Sequence, residues 1–310
     1  MYELNKSAFG KRIRFDLQNP ATGTGFSIVP ECGANVLDIR FGGQSILDGY
    51  ASPDELEAGK WGKSSVLFPF PNRLNGGQYT WLGQTYQFPL NNAATANAIH
   101  GFAREEAFEV EYFFLAKDCA SIRCSYDYEG QRPYYPFPFA LDLEFTIHDD
   151  GTFSLEVEVE NVHTQPIPVG FGWHPYFRLA ERADDHRLHL PTCEQVAIDE
   201  RMIPTGERAK FADFQRIKPV GDAFLDNCFQ YAKASGDYEM ALESAEHRLV
   251  LNASAKQFPF FQVFTPPHRQ SVALEPMTCN VDAFNNQQGL VTLGVGASWK
   301  GNMEMRFERI

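Results

Sequence analysis

Two runs of residues on either side of one turn decide the fold class. The first is Phe139-Ala-Leu-Asp-Leu-Glu-Phe-Thr-Ile-His148, and after Asp149-Asp150-Gly151 comes Thr152-Phe-Ser-Leu-Glu-Val-Glu-Val-Glu160. Phe139, Leu141, Leu143, Phe145 and Ile147 alternate with Asp142, Glu144 and Thr146; Phe153, Leu155, Val157 and Val159 alternate with Glu156, Glu158 and Glu160. Period-2 alternation is the mark of a strand with one dry and one wet face, and the Asp-Asp-Gly break makes the pair a hairpin. Phe108, Val110, Tyr112 and Phe114 alternate in the same way, and residues 78–88 read as a second hairpin with Leu82-Gly83 at its tip. Further strands are expected at 12–17, 122–128, 248–252, 260–264, 271–274, 291–295 and 303–307. Helical signals are few. Ser52-Pro53-Asp54-Glu55 aligns an N-cap, an N1 proline and a capping-box glutamate, with Gly59 able to stop the helix after two turns. The expected fold is all-β, a large antiparallel sandwich with a few short helices on connections. No linker or fixed-period repeat divides it, so residues 1–310 are read as a single domain.

The composition fits such a core. Of 310 residues, 44% are hydrophobic and 22% charged, which excludes disordered and collagenous classes. The chain has 27 Phe, 12 Tyr and 4 Trp, most of which must be core. With 27 Lys+Arg against 40 Asp+Glu, the formal charge of −13 disfavours nucleic acid and anionic membrane surfaces as partners. The first residues are charged throughout, without a signal-peptide core, and no apolar run approaches the about 18 residues of a membrane span. Cys32, Cys119, Cys124, Cys193, Cys228 and Cys279 form no Cys-x-x-Cys pair. They read as free, mostly buried thiols in a reducing cytoplasm.

Several signatures fail on inspection. Gly62-Lys63-Ser64 ends like a phosphate loop, but Glu57 stands where the first glycine is needed. Gly170-Phe171-Gly172 lacks the third glycine of a dinucleotide fingerprint, and no Gly-x-Ser-x-Gly elbow is present. His186 and His189 lack a helix and a third ligand, so they read as surface histidines, and no metal site is expected.

Four segments concentrate residues that a plain sandwich does not need. They are Phe68-Pro-Phe-Pro-Asn72-Arg73-Leu-Asn-Gly-Gly77, Ala98-Ile-His100-Gly-Phe-Ala-Arg104, Gly170-Phe-Gly-Trp173-His174-Pro-Tyr176-Phe177 and Leu274-Glu275-Pro-Met-Thr278. In this order they resemble the aldose 1-epimerase (mutarotase) family, the galactose mutarotase-like β-supersandwich. The family's Asn-Arg-x-x-x-Gly-Gly segment and Leu-Gly hairpin match Asn72 to Gly83, its His-Gly matches His100-Gly101, and its His-x-Tyr-Phe matches His174 to Phe177. Its Leu-Glu-Pro … Asp-Ala-Phe-Asn matches Leu274-Glu275-Pro276 … Asp282-Ala283-Phe284-Asn285, and its Asp-x-x-Phe matches Asp226 to Phe229. The likeness covers nearly the whole chain. Arg178 and Met277 depart from residues common in galactose-type members, and are expected to bear on sugar preference.

The resemblance implies His174 as general acid and Glu275 as general base, with His100 beside them at the catalytic centre. It implies that Arg73, Asp226 and Asn72 bind sugar hydroxyls. Trp173, Tyr176, Phe102 and Trp61 are the aromatic candidates for the apolar patches of a pyranose. The implied reaction opens a cyclic hemiacetal and recloses it on the other face of C1. One group takes the C1 hydroxyl proton while another protonates the ring oxygen, a task for Glu and His with ordinary pKa values of about 4.3 and 6.5. Such a Glu⁻/His⁺ pair is best populated around pH 5 to 6, so work at neutral pH calls for a His174 pKa raised by Glu275 or Asp226. No cofactor is required. The expected substrate is a free hexose, handled by a monomer or homodimer. Two alternatives remain: a hexose-6-phosphate mutarotase, with Arg104 joined by Arg132 and Arg178 around the phosphate, and a non-catalytic sugar-binding protein. For Arg104 the competing assignment is a surface ion pair with Glu105 or Glu106.

Overall fold

The computed structural model describes residues 1–310. Its largest sheet has nine strands, ordered Glu109–Leu115, Cys119–Tyr128, Phe139–His148, Thr152–Asn161, Ser298–Arg309, His247–Ser254, Asp237–Glu243, Arg187–His189 and Lys218–Pro219. A second sheet of eight runs Pro204–Phe211, Cys193–Ile198, Asp226–Tyr231, Phe260–Phe264, Val272–Met277, Gly172–His174 and Ser65–Leu67, with Tyr176–Phe177 also paired to Val272–Met277. Residues 3–45 add a five-stranded antiparallel sheet. Together these sheets make the large antiparallel β-sandwich that the alternation called for.

The quoted hairpin forms as its pattern requires. Leu143 pairs with Val157 and Phe145 with Leu155, and the dry-face side chains are at most 2% exposed. On the wet face Asp142 lies opposite Glu158 and Glu144 opposite Glu156. Like charges placed so would repel. Arg123, one strand over, reaches Asp142 at 2.9 Å and Glu144 at 3.7 Å, while Lys300 meets Glu158 at 2.9 Å. The dry face packs on one face of the eight-stranded sheet: Phe153 stacks on Trp173 with centroids 6.2 Å apart, and Phe139 meets Phe68 edge-on at 4.7 Å.

The helix Pro53–Ala58 carries the anticipated caps, with Ser52 Oγ accepting from the Glu55 N–H and Gly59 closing it in the left-handed region. All six cysteines are free, four of them buried. Two expectations need correction. The strand expected to stop at Leu274 continues through Pro276 to Met277, so Glu275 lies within it. Proline suits an extended backbone, and Phe261 and Phe260 pair with residues 276 and 277. His186 is fully buried, not a surface residue: its Nε2 accepts the N–H groups of Leu179 and Ala180, which a tight turn would otherwise leave unpaired.

The two faces of the hairpin should respond differently to mutation. Leu143→Ala, at a fully buried position, should cost about 2–5 kcal/mol in urea denaturation. Glu144→Gln, within the acidic ladder, should stay within about 0.5 kcal/mol of the parent.

Candidate active site

Alternation along one strand divides core from cavity. In Val272–Met277, Val272 and Leu274 join the main core while Glu275 turns the other way. The register then selects its neighbours. Gly172 pairs with Met277 and Tyr176 with Ala273, so the antiparallel count sets His174 across from Glu275. His174 Nδ1 lies 3.4 Å from Glu275 Oε1. On the other side Gln262 pairs directly with Glu275, and Asp226 with Phe264. Thus Asp226, Gln262, Phe264, Glu275 and His174 line one face of four neighbouring strands.

Two loops complete the site. Ala98–Ile99 pairs with Arg73–Leu74, and the His100 N–H donates to the Asn72 carbonyl at 2.9 Å. Asn72 and His100 both sit at positive φ, 58° and 67°. Asn and His enter that region more readily than most side chains, at a cost the surrounding structure must cover. Gly101 cannot be replaced in the same way, because a Cβ there would come 2.1 Å from the Phe68 carbonyl oxygen. Asp282 ties the first loop down, its N–H donating to Arg73 O at 2.8 Å and its Oδ1 accepting from Asn75 N at 2.9 Å.

Asn72 also fixes the polarity of its neighbours. Its N–H donates to His100 Nδ1 at 3.2 Å, so a neutral His100 carries its proton on Nε2. Its Oδ1 accepts from Arg73 Nη1, leaving Nδ2 to donate to Gln262 Oε1 at 3.2 Å. Gln262 Nε2 then donates to Asp226 Oδ1 at 2.8 Å. The rim is fixed as firmly. Buried Asn97 accepts from Gly76 N and Arg201 Nη2 and donates to Arg201 O, joining three segments at one side chain.

These groups surround a cavity of about 550 Å³. A model of the aldose 1-epimerase family matches residues 16–306. The chain belongs to the aldose 1-epimerase family. Among curated relatives, the uncharacterized protein YihR of Escherichia coli K12 is 27% identical over 282 residues, 89% of this chain and 88% of the relative. The galactose mutarotase of Sus scrofa is 30% identical over 165 residues, 50% of this chain and 45% of that protein. Among solved structures, a galactose mutarotase-like protein from Clostridium acetobutylicum superposes with a TM-score of 0.88 at 20% identity, covering 100% and 99% of the two chains. Galactose 1-epimerase from Lactobacillus acidophilus gives 0.85 at 18% identity, with the same coverage. The protein is therefore an isomerase of the mutarotase type.

Within this aldose 1-epimerase the cavity brings together His174, Glu275, His100, Arg73, Asn72, Asp226, Tyr176, Arg104 and Trp61. Trp173 is not among them. It is 1% exposed, occupies the opposite face of its strand from His174, and donates Nε1–H to Ser64 O. Phe102 is also core, 4% exposed beneath the Arg132 guanidinium. Arg132 is held by Glu106 and Tyr134, and Arg178 lines a separate surface depression, so neither faces the cavity. Met277 packs in an apolar cluster with Phe260 and Cys228 and does not line the cavity. Tyr176 is fully buried and serves as a platform, its ring stacked 4.7 Å from that of His174. Sequence reasoning missed Gln262, Phe264 and Met202. Gln262 had a signal, being the one polar side chain in Phe260–Phe264.

Burial sets the electrostatics. It raises the Glu275 carboxyl well above its ordinary value, with the Asp226 charge adding to the shift and Arg73 opposing it. It pushes His174 down to about 3, with Arg104 adding to the shift. The expected raised His174 pKa is thus reversed, because loss of hydration and the Arg104 cation both disfavour the imidazolium. His100 is also held well below the usual imidazole range by burial, then by His174, Arg104 and Arg73.

A carboxyl whose folded pKa exceeds its unfolded value stabilises the fold at low pH, and that contribution is lost as pH rises through the folded value. Glu275→Gln removes this loss. Its melting temperature should therefore exceed that of the parent, by a margin that grows from pH 5 to pH 8 in thermal denaturation; a constant margin would contradict the raised pKa.

Proposed function

We propose that this aldose 1-epimerase interconverts the anomers of a hexopyranose, glucose or galactose in the simplest case, through His174 and Glu275. The observation that carries the reading is the pair itself. His174 Nδ1 and Glu275 Oε1 are both buried without a hydrogen-bond partner, 3.4 Å apart in the cavity wall. Unsatisfied buried polar atoms are costly to a fold, and two such atoms facing each other beside a cavity suit a proton-transfer role. The galactose activities named for the similar proteins above favour a hexose as substrate.

In the reaction Glu275 takes the C1 hydroxyl proton while His174 gives its proton to the ring oxygen and the C1–O5 bond breaks. The aldehyde turns about C1–C2, and the same protons return as the ring closes on the other face. The pair therefore holds one proton before ring opening and one after. Before opening it is Glu⁻/His⁺; after opening it is protonated Glu and neutral His. Burial favours the second partition, so the dry site is matched to the open-chain intermediate more than to the ring. His100, neutral with Nε2–H free to donate, is a hydroxyl-binding group. It cannot become imidazolium without giving up the Asn72 N–H.

The pH profile follows from the one-proton requirement. A second proton must go onto His174, which titrates at about 3, and the single proton is lost only above the raised Glu275 value. The profile of kcat/KM should be a broad plateau with its acid limb well below 6.5, belonging to the pair rather than to one residue. Glu275→Gln and His174→Asn should each lower the anomer exchange rate, followed by polarimetry or exchange NMR, by about 10²–10⁴-fold. His100→Asn should weaken binding and rate together and keep both limbs. Sugar binding by calorimetry with no acceleration of exchange would instead identify a non-catalytic binding protein.

A further inference from the structure

Arg104 has no evident structural task. Its side chain lines the same cavity as His174 and is 18% exposed. Its Nε is buried and unpartnered. The sole ion-pair contact is Glu105 Oε1 at 3.5 Å, and that carboxylate is 68% exposed. The other nearby carboxylates are taken: Glu106 by Arg132 and Tyr126, Glu57 by Lys11 and Arg12, Asp48 by Lys63. Arg73, by contrast, has both Asp226 and Glu275 as partners in charge. The cavity is therefore compensated at one end and left cationic at the other.

The position of that cation is specific. Gly62 separates Arg104 from His174: a Cβ on Gly62 would lie 3.9 Å from Arg104 Nη1 and 3.8 Å from His174 Cδ2. The missing side chain leaves open space between the two groups. If His174 serves the ring oxygen, C5 and its C6 substituent are the next atoms of the sugar on that side. A guanidinium there presents a planar fork to whatever C6 carries.

Resting on the acid–base reading above, we infer that Arg104 is an anion subsite and that the preferred substrate is a hexopyranose bearing a negative group on C6. A phosphate ester, a sulfate ester or a carboxylate shares the required chemistry. Such a group would give the buried Nε and its companions the acceptors they lack, where a neutral hydroxyl meets only part of that need. The overall charge of −13 does not decide the matter, because a cavity with low-dielectric walls focuses the local field.

Anomer exchange measured by NMR with glucose, glucose 6-phosphate, glucose 6-sulfate and glucuronate tests this. The wild-type enzyme should favour at least one anionic sugar over glucose by about tenfold or more in kcat/KM, and the winning arm names the group. Arg104→Met should lower kcat/KM on that sugar by about 100-fold, chiefly through KM, and on glucose by less than about tenfold. Arg104→Lys should recover part of the loss. Equal kcat/KM for glucose and all three anionic sugars in the wild type would overturn the inference without any variant, while leaving the mutarotase reading intact. Exchange of none of the four would overturn that reading and this one with it.

Discussion

A strand has two faces, and the antiparallel register decides which residues share them. The site of this protein depends on that constraint more than on any single contact. With Leu274 pointing into the core, Glu275 must point into the cavity, and the pairings of Gly172 and Tyr176 leave His174 no other partner. The His174–Glu275 pair thus sits on backbone ladders buried on both sides, and its 3.4 Å separation is set by strand spacing rather than by flexible side chains. A one-residue slip would exchange Trp173 for His174, putting an indole in the cavity and an imidazole in the core.

Ladders alone do not orient hydrogen-bonding groups, which is the work of the loops. Asn72, bent into the left-handed region, uses its backbone N–H, carbonyl and side chain to hold His100, Arg73 and Gln262 in fixed senses. The donors and acceptors run in one direction to Asp226, which must accept. A sugar hydroxyl arriving there meets groups whose polarity is already set, so little reorganisation accompanies binding.

What the amino-acid order disclosed follows the same division. Period-2 patterns located the strands, because each residue's face is a local property. The motif order, through family resemblance, indicated His174, Glu275, His100, Arg73, Asn72 and Asp226, which one cavity holds. Trp173 was misassigned although the same alternation, applied across Trp173-His174, places it on the opposite face. Gln262 was legible as a lone amide in an apolar strand. The direction of the His174 shift was not, since it depends on how completely the surrounding strands and loops exclude water. Nor could the order of residues separate Arg104 from Arg132 and Arg178. Their partners come from distant segments, and only the fold shows that Arg104 alone of the three lines the cavity.

The rim held by Asn97 and Arg201 has a consequence for the thermodynamics of ligand entry. Three segments meet at one fully buried amide, so this side of the cavity mouth is held by the protein's own hydrogen bonds. These three segments need no ligand to order them. The heat-capacity change of binding should therefore carry no large negative contribution from coupled folding of these segments.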